Sequence, residues 1–212
     1  MKTSALIDCL GGDPVPRTMR LASRFWLALG MGVLAAAVLF VVGVGPRFDV
    51  VAATHTLRFD LKFVETLALA SASVFLCFRL MHPDAHIGTL SLCLTVPFLI
   101  LGTAGVAELF LVPSAVWRAK MIGVNSLKCL ALIPLLSIPP LIAVIYAMRE
   151  GATRHPALSG ALAGASAAGI AATLYASNCT DDSPLLVAIW YPSATLIVVS
   201  LGAVAGRWLL DW

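Results

Sequence analysis

Charge is what this chain has little of. Of its 212 residues only 12% are Asp, Glu, Lys or Arg, while 60% are hydrophobic and the mean hydropathy is +0.96. A soluble domain carries about twice that share of charge. The net charge of +3 is small and divided between both ends of the chain's apolar runs, which argues against a nucleic-acid surface. Five cysteines occur, Cys9, Cys77, Cys93, Cys129 and Cys179, but no two are spaced C-x-x-C. That absence removes both a thioredoxin-type motif and a zinc ribbon. An odd count leaves at least one thiol free or paired between chains.

Apolar runs long enough to cross a bilayer fill most of the chain: Phe25–Val44, Phe63–Met81, Gly88–Val112, Leu127–Met148, Ala157–Ala176 and Leu185–Gly206. The expected fold is an all-α integral membrane protein, a six-helix transmembrane bundle with short loops and a cytoplasmic N-terminal tail. The expected division is a tail over 1–24, a membrane domain over 25–206 and a cytoplasmic end over 207–212. Little remains for a soluble catalytic domain, so no enzymatic role and no cofactor are expected. Met1–Arg24 with the run behind it mimics a signal peptide. The run is too long for one, no small-x-small site closes it and five spans follow, so a retained first helix is expected.

Arg17, Arg20 and Arg24 precede the first span, the usual position of a cytoplasmic anchor. With the N-terminus inside a bacterial inner membrane, eight of the 14 basic residues lie inside. The other six, Arg47, Arg58, Lys62, Arg118, Lys120 and Lys128, lie outside. The bias favours both termini in the cytoplasm and comes mostly from the tail.

In that tail, Thr3 or Ser4 is placed to cap a short helix with Leu6, Ile7 and Leu10 on one face. Gly11-Gly12-Asp13-Pro14 ends it. A partner-binding helix and an unstructured anchoring tail are both open readings. Other features have ordinary structural readings. His55 beside Glu65 and the pair His82 and His86 are weak metal candidates, the second interrupted by Pro83. Cys77 and Cys93 read as small packing residues. Glu108, near the outer end of the third span, is expected to snorkel or pair with Arg118 or Lys120. Pro134, Pro139 and Pro140 should kink the fourth span. Gly160, Gly164, Ala168 and Ala172 form a small-residue stripe suited to close intramolecular packing.

The most polar loop is Asn178-Cys179-Thr180-Asp181-Asp182-Ser183-Pro184. Cys129, at the start of the fourth span, and Cys179, between the fifth and sixth, share one membrane face, where disulfides can form if that face is the periplasm. Asp182 or Ser183 with Pro184 reads as a helix cap, and Asp181 suits the helix dipole. The two carboxylates should disfavour a thiolate at Cys179. Cys129 and Cys179 together with Asp181 and Asp182 also make a candidate site for a thiophilic metal.

From Asn178 through Asp181-Asp182-Ser183-Pro184 to Trp190-Tyr191, the sequence resembles the last loop and helix of the NrsF family of bacterial membrane anti-sigma factors. Lys2-Thr3 with Leu6-Ile7, Pro14-Val15-Pro16-Arg17, and Leu127-Lys128-Cys129 leading a proline-bearing helix are similar as well. Pro192 departs from the pattern and leaves the shape of the sixth span open. The resemblance implies that the N-terminal segment, with Lys2, Leu6, Ile7 and Leu10, holds an extracytoplasmic-function sigma factor. It also implies that Cys129 and Cys179 sense heavy-metal or oxidative stress. Direct nucleic-acid binding is not expected. Two other classes stay open: a membrane thiol oxidoreductase, which lacks the expected cysteine relay, and a small transporter using Glu65 or Glu108.

Overall fold

The computed structural model describes residues 17–82 and 88–211. The tail residues Lys2, Leu6, Ile7 and Leu10 lie outside them, as does His86. The described residues are helical throughout, with no strand. The helices are α1 (Arg17–Gly43), α2 (Val50–Ala53), α3 (Leu57–Leu80), α4 (Thr95–Leu111), α5 (Trp117–Ile122), α6 (Ser126–Met148), α7 (Pro156–Ala176) and α8 (Pro184–Leu209). Six segments, built on α1, α3, α4, α6, α7 and α8, are long and apolar enough to span a membrane, so the protein is a multi-pass membrane bundle.

Two boundaries differ from expectation for a physical reason. α3 starts at Leu57 rather than Phe63: the charges of Arg58 and Lys62, which look like loop residues, are neutralised by Glu108 on α4 and by Asp182 in the loop between α7 and α8. The third span begins as a 3₁₀ turn, Gly88–Leu94, before α4. Cys93 lies on that turn and is exposed, whereas Cys77 is buried; only Cys77 fills the packing role.

α7 is the axis of the bundle. Its span is 67% buried, against 22% for the peripheral span that contains α4, and it packs on α3, α6 and above all α8. Small residues make this possible. A Cβ on Gly164 would stand 2.5 Å from Val198 O, and one on Gly206 2.5 Å from Pro156 O. Gly160 faces Gly202 so closely that neither tolerates a side chain. The stripe on α7 therefore meets a second one on α8, inside a single chain. Helix α6 continues through Pro134, Pro139 and Pro140, and α8 continues through Pro192. α1 lies against the double-proline segment, where a Cβ on Gly32 would come within 2.8 Å of Pro140 Cα.

The two ends of the bundle are distinct. At one, Arg24 pairs with Glu150 at 2.8 Å and Ala152 N donates to Met81 O at 3.2 Å. At the other lie the ends of α1, α4 and α7 and the starts of α3, α6 and α8. Replacing Gly160 with Val should overpack the α7–α8 seam and cost about 1–3 kcal/mol. A lowered midpoint of thermal unfolding in detergent is expected, and an unchanged midpoint would contradict the seam.

Candidate functional site

α7 ends at Ala176, and the chain turns at once: Asn178 N and Cys179 N both donate to Tyr175 O, at 2.9 and 3.0 Å. This turn tucks Cys179 under the helix end. Cys129 stands in the first turn of α6. Both thiols are fully buried in one apolar cluster with Phe40, Ile133, Tyr175, Leu186 and Tyr191. They are free thiols, brought into that one cluster from two distant helices' ends. Cys129 Sγ also lies 3.5 Å from Tyr175 Oη, and Cys179 Sγ lies 3.5 Å from Asp181 O.

The acidic pair does not cap its own helix. Ser183 is the residue before α8 and makes no side-chain capping bond. Asp181 caps another helix: its Oδ2 accepts from Val124 N and Asn125 N, each at 2.9 Å, and from Asn125 Nδ2 at 3.0 Å. A carboxylate at these orphan N–H groups suits the α6 dipole. Gly123 lets the chain approach: its φ is +57°, and a Cβ there would meet Asp181 Oδ2 at 2.8 Å. Asp182 instead receives Lys62 Nζ at 2.5 Å and Arg47 Nη1 at 3.1 Å.

Cys179 itself is held by the same cations. Its main-chain carbonyl accepts from Lys62 Nζ at 3.1 Å and from Arg47 Nη1 at 3.3 Å. Lys62 is only 2% exposed and lies over the Phe59 ring, 5.3 Å from its centroid. Arg47 is oriented by two bonds to Asp49, both 2.6 Å, which together with Asp182 hold its guanidinium firmly protonated. The hydrogen bond from Arg47 likewise holds the Asp49 carboxyl below the usual carboxylate range.

This arrangement reverses the expectation for Cys179. The hydrogen bond from Cys129 stabilises its thiolate, and the Lys62 charge and a bond involving the Asp181 main chain act in the same direction. Against burial and the Asp181 charge, they lower the thiol to about 7. The Asp181 carboxylate opposes the thiolate as expected, but it is outweighed. The carboxylates of the four-residue metal candidate have other partners. Asp181 and Asp182 spend their oxygens on α6 and on the two cations, and no group of three or more His, Cys, Asp or Glu among the described residues is placed to hold a metal ion.

Glu108 is 2% exposed rather than snorkelling. It pairs with Arg58 at 2.7 Å and more loosely with Lys120 at 3.6 Å. Sequence reasoning named Lys120 but missed Arg58, which lies one helix away. Glu65 lines a small cavity with Arg58, Lys62, Leu101, Pro184 and Val187, and its Oε2 has no hydrogen-bond partner. Lys62, Arg47 and Tyr175 were also missed as members of the thiol site. Only Tyr175, four residues before Cys179, carried a local signal.

A thiol titrating near 7 should react with small oxidants at a rate that climbs from pH 6 and levels off above about pH 8, following the thiolate fraction. Lys62→Met should move that plateau to higher pH. A wild-type rate still rising steeply between pH 9 and 10, measured by mass spectrometry of Cys179, would contradict the assignment.

The chain matches the family model described as NrsF, negative regulator of sigma F, over residues 10–212. It is 30% identical over 215 residues to the probable anti-sigma-F factor NrsF of Azospira oryzae, with 100% of both chains covered. It is also 30% identical over 219 residues to the anti-sigma-F factor NrsF of Caulobacter vibrioides, again with 100% of both covered. No solved structure matches it. The family match takes in all six spanning segments and both Cys129 and Cys179, and on it the chain belongs to the NrsF family, the negative regulators of sigma F.

Proposed function

We propose that this chain is an anti-sigma factor of the bacterial inner membrane. It holds an extracytoplasmic-function sigma factor on a cytoplasmic N-terminal tail and releases it when Cys129 and Cys179 react at the periplasmic end. The observation that carries this reading is the burial of two free thiols from distant parts of the chain in one cluster. Membership of a family of negative regulators supplies the sigma factor as partner. The names of the Azospira and Caulobacter relatives point the same way.

The chemistry asks little of the protein. Joining the two sulfurs sends two electrons and two protons to an oxidant, and a thiophilic metal ion held between them displaces the same two protons. The cytoplasmic part of the device is the tail, where Lys2 and the apolar residues Leu6, Ile7 and Leu10 would lie in a groove of the sigma factor. Release follows only if the two thiol states hold the tail differently. Asp181 gives such a difference a route, since it joins the Cys179 loop directly to the start of the helix that carries Cys129.

Deleting residues 1–16 should abolish co-purification of the sigma factor while the protein still inserts in the membrane. Sigma binding that survives the deletion would sink the tail assignment.

A further inference from the structure

Resting on that reading, we propose that Arg47 couples the thiol pair to α1, and through α1 to the N-terminal tail. The thiols and the tail lie at opposite ends of a helix of 27 residues, about 40 Å long at 1.5 Å per residue. α1 is the one spanning helix that continues directly into the tail.

Three hydrogen bonds stitch the far end of α1 to the Cys179 turn. Arg47 N donates to Ser177 O at 3.0 Å, Arg47 Nη1 donates to Cys179 O at 3.3 Å, and Asn178 Nδ2 donates to Gly45 O at 2.8 Å. The chain reaches this seam by turning at Gly45, whose φ is +71°. The Arg47 side chain is 9% exposed, and its charge is fixed between Asp49 and Asp182. Along its length α1 packs chiefly on α6, the helix that carries Cys129. One helix is therefore attached to both halves of the thiol pair: to Cys129 through packing, and to Cys179 through the carbonyl of that same residue. A change in the spacing of the two sulfurs is a change in what α1 is fastened to.

Oxidation by a hydroperoxide joins Cys129 Sγ to Cys179 Sγ. The hydroperoxide takes up two electrons and the two thiol protons, and leaves as an alcohol and water. The sulfurs draw closer, the Cys179 backbone moves with them, and Arg47 carries the displacement to α1.

The test uses the full chain in lipid nanodiscs with its sigma factor, treated with cumene hydroperoxide. Disulfide formation is read by mass spectrometry and retained sigma factor by co-purification. Oxidised wild type should retain about tenfold less sigma factor than reduced, within the usual range of coupling. Compared at equal extents of disulfide, the reduced and oxidised states of Arg47→Gln should differ by less than about twofold, and Arg47→Lys should restore part of the difference. An Arg47→Gln protein that keeps the wild-type ratio overturns the proposal. So does one whose thiols no longer oxidise, since Arg47 would then serve the thiol chemistry itself. Wild type that forms the disulfide without losing sigma factor brings down the thiol-switch reading instead. Should Arg47→Gln fail to insert, hydrogen exchange in the wild type decides: protection of the Arg47 amide must change on oxidation, and unchanged protection refutes the coupling.

Discussion

The thiol end of this bundle depends on one carbonyl, that of Cys179, held at once by Arg47 and Lys62. Placing an ammonium as buried as Lys62 in an apolar bundle is expensive unless its charge and hydrogen bonds are answered. Here they are answered by Asp182 and by the carbonyls of Cys179 and Asp181. These groups can converge only if the loop takes this one shape. The cost of stranding a buried charge thus fixes the loop, and the loop fixes the sulfurs. The same cation that positions Cys179 also stabilises its thiolate, so structure and reactivity share one cause.

The rigidity behind this arrangement comes from small residues. α7 and α8 approach until glycine backbones touch, without large side chains between them to change rotamer. The Cys179 turn leaves the end of α7 and leads straight into α8, so it is mounted on the most tightly packed pair in the molecule. α1 and α6 meet it from the side, through Arg47 and Asp181 respectively. A stiff mount with two attached helices suits a device in which a small change between two sulfurs must be felt elsewhere.

Much of this was legible in the sequence because the membrane enforces it. Six apolar runs can be satisfied only as helices, and once they alternate in direction, Cys129 and Cys179 must fall at one end. The small-residue stripe on α7 was readable for the same reason. The ion pairs were not. Lys62 and Asp182 are 120 residues apart, and a basic residue at the edge of an apolar run looks like loop until its partner is known. The acidic pair misled because local rules assign it to its own helix. Asp181 instead caps α6, more than fifty residues upstream, and Asp182 serves Arg47 and Lys62. The thiol's lowered pKa went unseen for the same reason: Cys129 and Lys62, which lower it, come from α6 and α3, and the carboxylate charge beside it in sequence argues the other way.

The most direct measurement of the central claim follows thiol state and sigma occupancy together in intact cells during an oxidant titration. Differential alkylation and mass spectrometry report Cys129 and Cys179, while sigma factor bound to the membrane fraction is quantified from the same samples. The account predicts that loss of both thiols and loss of sigma factor fall on one curve with a common midpoint. Sigma factor leaving while both cysteines remain thiols, or staying bound after both have joined, would contradict it.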